Sequence, residues 1–191
     1  MAATATPTAV RRAMYGVFLT FAVNGVAVGA WISRIPAVRD ILGIDTAQVG
    51  LLLFGMSAGS ILGLLAAAAI VHALGARRTM LACLALGTVA LLVLSLGVSL
   101  VPLFAIAVTG FALFGVAWSV CDVAMNVEGT AVERAMGRNL MPWFHAAWSL
   151  GSVAGAGTGA AAAFLDIVPG IHLVVVAGLV AVTAVVLPRL L

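Results

Sequence analysis

From Thr79 to Cys121 the chain carries no charged residue. A crossing of the bilayer core takes about 20 apolar residues as a helix, so this stretch has room for two crossings, with Pro102 between them. The run ends on Asp122, and Asn126 follows four residues later. On a helix that spacing puts both polar heads on one face. A carboxylate inside an apolar span costs a few kcal/mol or more, and such residues normally face a bundle interior or a water-filled cavity. Residues 120–129, Val-Cys-Asp-Val-Ala-Met-Asn-Val-Glu-Gly, are therefore read as one wall of a solute and ion pathway.

The rest of the chain has the same character. Of 191 residues, 64% are hydrophobic and 8% charged, with a mean hydropathy of +1.27; a soluble domain has about a quarter charged. Six segments of spanning length are expected, at 13–35, 47–73, 78–99, 102–130, 139–164 and 168–188, after a cytoplasmic tail over residues 1–12 that is disordered over residues 1–10. The fold class is thus all-α, a polytopic membrane protein with the lipid bilayer as its solvent. All nine basic residues are Arg. Arg11, Arg12, Arg77, Arg78, Arg134, Arg138 and Arg189 fall on one side of this topology, and Arg34 and Arg39 on the other, beside Asp40 and Asp45. The positive-inside rule then places the N-terminus in the cytoplasm, most simply of an inner membrane. Scattered in short gaps between spans, these charges do not suggest nucleic acid. Tyr15 and Trp143 are expected near the inner interface and Trp31 near the outer one. Cys83 and Cys121 read as apolar packing residues, without a disulfide or metal site.

Segment 2 carries Gly55, Gly59 and Gly63, and segment 5 carries Gly151, Gly155 and Gly159. Small residues at every fourth position let helix backbones approach closely. Both ladders occupy the middle of a three-helix set, which suggests two inverted three-helix repeats.

On these features the chain resembles the amino-terminal half of a major facilitator superfamily transporter over all six segments. The connection His72-Ala73-Leu74-Gly75-Ala76-Arg77-Arg78 is similar to the superfamily's cytoplasmic motif Gly-x-x-x-Asp-Arg-x-Gly-Arg-Arg. Gly75, Arg77 and Arg78 fit; His72 stands at the Asp position, which removes the acid of that motif's salt-bridge latch. Cys121, Asp122 and Asn126, the run Phe144-His145-Ala146-Ala147-Trp148-Ser149, and Asn24-Gly25 through Trp31 to Pro36 resemble the fucose-permease branch and its sugar-permease-like relatives. The resemblance implies proton coupling at the acid, a cavity lined by segments 1, 4 and 5, and segments 2 and 5 meeting a second half, an interface the ladders suit. Gly155-Ala156-Gly157-Thr158-Gly159-Ala160 lacks the Pro of drug antiporters.

The candidate pathway residues are Asp122, Asn126, His145, Trp118, Trp148, Ser149 and Asn24. Asp122 is the coupling candidate, with a structural hydrogen bond as its alternative. Asn126 either orients Asp122 or joins two helices. His145, Ser149 and Ser152 form one polar stripe that could bind hydroxyls or relay a proton, or His145 is a satisfied bundle residue. Trp118 and Trp148 suit a sugar ring or simple packing. Glu128, Glu133, Arg134 and Arg138 read as a cluster holding segments 4 and 5 in register. Gly55-Met56-Ser57-Ala58-Gly59 matches the hydrolase elbow Gly-x-Ser-x-Gly, which needs a strand before it and a helix after; here it lies in a helical run, and no enzyme is expected. No phosphate-loop or metal-ligand spacing is present, so no cofactor is expected. The expected function is proton-coupled secondary transport of a small polar solute such as a sugar, with a second six-helix half, from this or another chain, as partner. A truncated or structural six-helix membrane protein is the alternative.

Overall fold

The computed structural model describes residues 7–191 and is all-helical, with no strand among them. Seven α-helices follow one another: α1 (Pro7–Ile32), α2 (Ile35–Leu42), α3 (Thr46–Leu74), α4 (Ala76–Ser95), α5 (Phe104–Met136), α6 (Met141–Phe164) and α7 (Pro169–Val186). A π-helical turn, Leu96–Leu100, ends α4, and a short 3₁₀ turn, Leu187–Arg189, follows α7. Five helices are long and apolar enough to cross a membrane: α1, α3, α4 with its π turn, α5, and α7 with its 3₁₀ turn. α6 has 24 residues and no charged one, but its Gly, Ser, Trp and His leave it less apolar than those five.

The ends of these helices follow from local chemistry. Proline opens α2, α6 and α7 at the first or second position, where its missing N–H costs nothing. Asp45 and Gln48 form a reciprocal capping box at the start of α3, with Gln48 N–H donating to Asp45 Oδ1 at 2.8 Å. Gly43 and Gly137 end α2 and α5 at φ 61°, a left-handed conformation that favours glycine.

Three expectations are corrected here. Of the tail expected over residues 1–12, residues 1–6 lie outside the described residues, and Pro7 onward is helical, as its Ala and Arg content favours. α1 ends at Ile32, short of the span end expected at residue 35, and Pro36 lies in the first turn of a further helix, α2. Trp31 is buried, edge-on to Phe111 with ring centroids 4.9 Å apart, so it belongs to the core and not to an interfacial belt.

The packing is organised by glycine. Gly55, Gly59 and Gly63 are buried against α5, at Val108, Ala112 and Val116 with Ser119. Gly151, Gly155 and Gly159 are buried against α1, at Ala22, Val26 and Ala30 with Ser33. A methyl group at Gly59 or Gly155 would collide with the facing backbone carbonyl, of Ala112 or Val26. Both ladders thus lie inside this chain, zipping α3 to α5 and α6 to α1, which overturns the expectation that they suit a contact with a second half. Spacing shows that a face is narrow but not which helix fills it. α4 and α7 pack on each other and close the bundle around Phe21, Phe111, Phe144, Leu91, Leu94 and Met80. Outward, α3 exposes Phe54, Leu62 and Leu65, and α7 exposes Val175 and Val185.

Candidate functional site

α5 and α6 carry the polar centre. The two are joined tightly: Glu133, near the end of α5, accepts hydrogen bonds from the backbone N–H groups of Leu140 (2.7 Å) and Met141 (2.8 Å). These are donors that the start of a helix leaves unpaired, so a carboxylate from α5 caps α6. That sets the height of His145, one turn further along, against Asp122. Phe144 packs on Phe18 and Phe21 of α1, with ring centroids at 4.6 and 5.6 Å, and fixes the rotation of α6.

Phe21, Trp118, Asp122, Met125, His145 and Trp148 then line one open cavity of about 200 Å³. Trp118 and Asp122 also line a second, of about 190 Å³, whose other walls are Ser60, Ile61, Leu64 and Ser119. Asp122 therefore faces open space on both flanks. No cation pairs with it among the described residues, although His145 is close enough to act on it electrostatically. Asn126 donates to the Asp122 carbonyl at 2.8 Å and to its carboxylate at 3.4 Å. The imidazole of His145 lies edge-on to Phe21, centroids 5.2 Å apart.

The structure thus brings together Asp122, Trp118, His145 and Trp148, with Asn126 against Asp122. It separates two of the expected residues from them. Asn24 is buried, donating to the Thr20 carbonyl at 2.9 Å and contacting Cys121 Sγ at 3.6 Å. It lines a different and much smaller cavity, of about 20 Å³, with Cys83, Phe114 and Trp118. Ser149 is exposed on α6 and donates to the His145 carbonyl at 3.0 Å, outside the lining of either Asp122 cavity. Sequence reasoning missed Phe21, Met125, Ser60 and Ser119. Met125 is three residues from Asp122 and shares its face, a signal that was available. Ser60 is placed by the α3–α5 zipper, which nothing in the sequence assigns. Ser57, of the Gly-x-Ser-x-Gly match, lies within α3 and donates to the Leu53 carbonyl at 3.1 Å.

At one end of the bundle lie seven arginines (Arg11, Arg12, Arg77, Arg78, Arg134, Arg138 and Arg189) with Glu128 and Glu133. Arg77 Nε meets Glu128 Oε1 at 2.8 Å, and its Nη1 donates to the Leu191 carbonyl. Glu128 is only 7% exposed. It holds α5 to α4, not to α6 as expected of the cluster; Glu133 makes the α6 link. Gly75 adopts φ 79° between α3 and α4. Arg78 is exposed and in no ion pair among the described residues.

Comparison with known proteins adds the decisive observation. The chain is 32% identical over 151 residues to a protein named as an uncharacterized MFS-type transporter of Yersinia pestis, covering 79% of this chain and 38% of the relative. The chain resembles an MFS-type transporter. It is also 36% identical over 164 residues to an uncharacterized transporter of Sinorhizobium fredii (85% of this chain, 42% of the relative). To the membrane protein MosC of Rhizobium meliloti it is 30% identical over 135 residues (71% and 32%). This MFS-like chain thus spans about two fifths or less of the length of the curated relatives it matches. Its apolar helices and these relatives together make it a multi-pass membrane protein. No family model and no solved structure matches it.

Proposed function

We propose that this chain is one half of a secondary transporter that moves a small polar solute, plausibly a sugar, together with protons bound at Asp122. The observation that carries the reading is a carboxylate in no ion pair among the described residues, open to cavities on both sides. An acid so placed can be neutral or charged as the site alternates in access, which is what coupling to a proton gradient requires. Trp118 and Trp148 offer flat apolar faces to a sugar ring, and His145 and Ser60 offer hydroxyl partners beside it. Asn126 orients the carboxylate.

In this reading α6 is the sixth crossing, carried by α1 instead of by its own hydropathy. Two inverted repeats, α1–α3–α4 and α5–α6–α7, are supported by the zippers: the middle helix of each set packs its ladder on the first helix of the other. Exchanging the sets maps α3–α5 onto α6–α1. The basic end faces the cytoplasm of an inner membrane, and a second six-helix half closes the cavities.

Proton uptake driven by solute gradients in liposomes tests this, for the chain alone and with a second half, against Asp122→Asn. The expected result is uptake that Asp122→Asn abolishes. Uptake unchanged in Asp122→Asn would make that residue structural. No uptake in either setting, over a broad panel of sugars and polyols, would refute transport and leave a structural membrane protein.

A further inference from the structure

At the end of the bundle opposite the basic face, the sequence suggested an exposed loop charge at Arg34. The structure shows the reverse. Arg34 is 3% exposed. Its Nη1 donates to the Gly159 carbonyl at 3.0 Å and its Nη2 to the Ile167 carbonyl, reaching from the end of α1 to the end of α6 and the turn into α7. Its Nε–H is buried without a partner, and no carboxylate lies within ion-pair distance among the described residues. The negative end of a helix suits a cation, but a buried charge without a counter-ion is tolerated only while its surroundings stay neutral or negative.

His172, in the first turn of α7, is 7% exposed and within the electrostatic reach of Arg34. Its Nε2 lies 3.1 Å from Thr158 Oγ1. That hydroxyl gives its one proton to the Gly155 carbonyl at 2.7 Å, so it accepts from His172. The proton of the neutral ring is then on Nε2, and Nδ1 is an acceptor, buried and without a partner. A proton taken from water at Nδ1 creates a second cation in the corner that holds Arg34, with a new N–H that has no acceptor. Both effects oppose the closed corner.

We propose that Arg34 and His172 form an acid-sensitive latch, closed while the imidazole is neutral and released when it is protonated. The other charged groups at this end do not neutralise it: Arg39 and Asp40 lie 3.9 Å from each other and are exposed, Asp45 caps α3, and Asp166 is exposed in the α6–α7 turn. Ser95 and Ser99 are the polar groups that α4 and its π turn bring against α7 nearby, both bonded to Gly170. Because α1 and α6 also carry Phe21, His145 and Trp148, release here loosens two helices that line the Asp122 cavity. The latch does not depend on the transport reading.

Backbone hydrogen exchange over residues 160–173, for the chain in nanodiscs between pH 8 and pH 5 and corrected for intrinsic rates, tests it. A neutral ring holds the latch above the ordinary imidazole range near pH ~6.5, so protection is expected to be high at pH 8 and to fall several-fold below that range. His172→Gln, which still donates to Thr158, is expected to stay protected throughout. Arg34→Gln is expected to exchange fast at both ends of the range, and Arg34→Lys to keep part of the pH response. Flat exchange in the unmodified chain would overturn the proposal, as would a pH response that survives in His172→Gln. A response lost in Asp166→Asn would also overturn it, by assigning the effect to the carboxylate of the turn.

Discussion

Gly155→Ala and Gly157→Ala place the same methyl group two residues apart on α6, and the structure assigns them opposite effects. At Gly155 the new carbon would collide with the Val26 carbonyl oxygen and stand 2.9 Å from both Val26 C and Ala30 N. Ordinary contact needs about 3.4 Å or more, so α1 and α6 would have to part by at least about 0.5 Å, and backbone cannot rotate aside as a side chain can. Overpacking of this kind costs about 1–3 kcal/mol. At Gly157 nothing lies within 4 Å, and replacing a helical glycine by alanine gains up to ~1 kcal/mol. The helix gain is common to both variants and cancels, so they should differ by the overpacking cost of about 1–3 kcal/mol, from roughly fivefold upward in the unfolding equilibrium, since about 1.4 kcal/mol is tenfold. Unfolding by sodium dodecyl sulfate in mixed micelles, followed by tryptophan fluorescence, measures this directly. Stabilities within about 0.5 kcal/mol of each other, a span typical of substitutions that touch nothing, would refute the zipper as a close backbone contact.

Other consequences follow from single contacts. Glu133→Ala removes the cap on α6 and should cost about 0.5–2 kcal/mol, with faster hydrogen exchange confined to residues 138–145. Arg77→Ala leaves Glu128 buried and unpaired; because Arg77 is half exposed, the cost should be about 1–3 kcal/mol, and a double-mutant cycle with Glu128→Gln should return a favourable coupling. Gly170→Ala sets a methyl against Ser99 Oγ and Ser95 Oγ, which now bond the Gly170 N–H and carbonyl at 3.0 Å each. It should destabilise by about 1–3 kcal/mol, an effect that Ser99→Ala relieves in part.

The polar centre was legible because it rests on residues that are costly in hydrocarbon. Asp122 stands out wherever it occurs in an apolar run, and Asn126 follows by helical spacing. What faces them is a matter of tertiary contact. Asn24 is as polar as Asn126, yet the rotation of α1 turns it to Cys121, and only the zipper with α6 sets that rotation. Arg34 misled for a related reason. Its sequence neighbours include Asp40, but its bonding partners lie 125 and 133 residues away and are backbone carbonyls, which leave no mark in a sequence. The run from Glu128 to Arg138 read as the end of a span, whereas α5 stays helical to Met136, with Glu128 paired to Arg77 of α4 and Glu133 bonded to the start of α6.

The α1–α6 zipper also bears on how the chain is made. α1 leaves the ribosome first, and α6 follows more than a hundred residues later. α6 falls short of the hydropathy of the five spanning helices, and its buried Gly151 and Gly155 meet the backbone of α1, with Gly159 against Ser33. The groove at Gly25 and Gly29 of α1, which faces the α6 backbone at Trp148 and Ser152, therefore stays uncovered until α6 has been made. A lesion in α1 that spares its hydropathy but bulks out that groove would leave α1 inserted and strand α6.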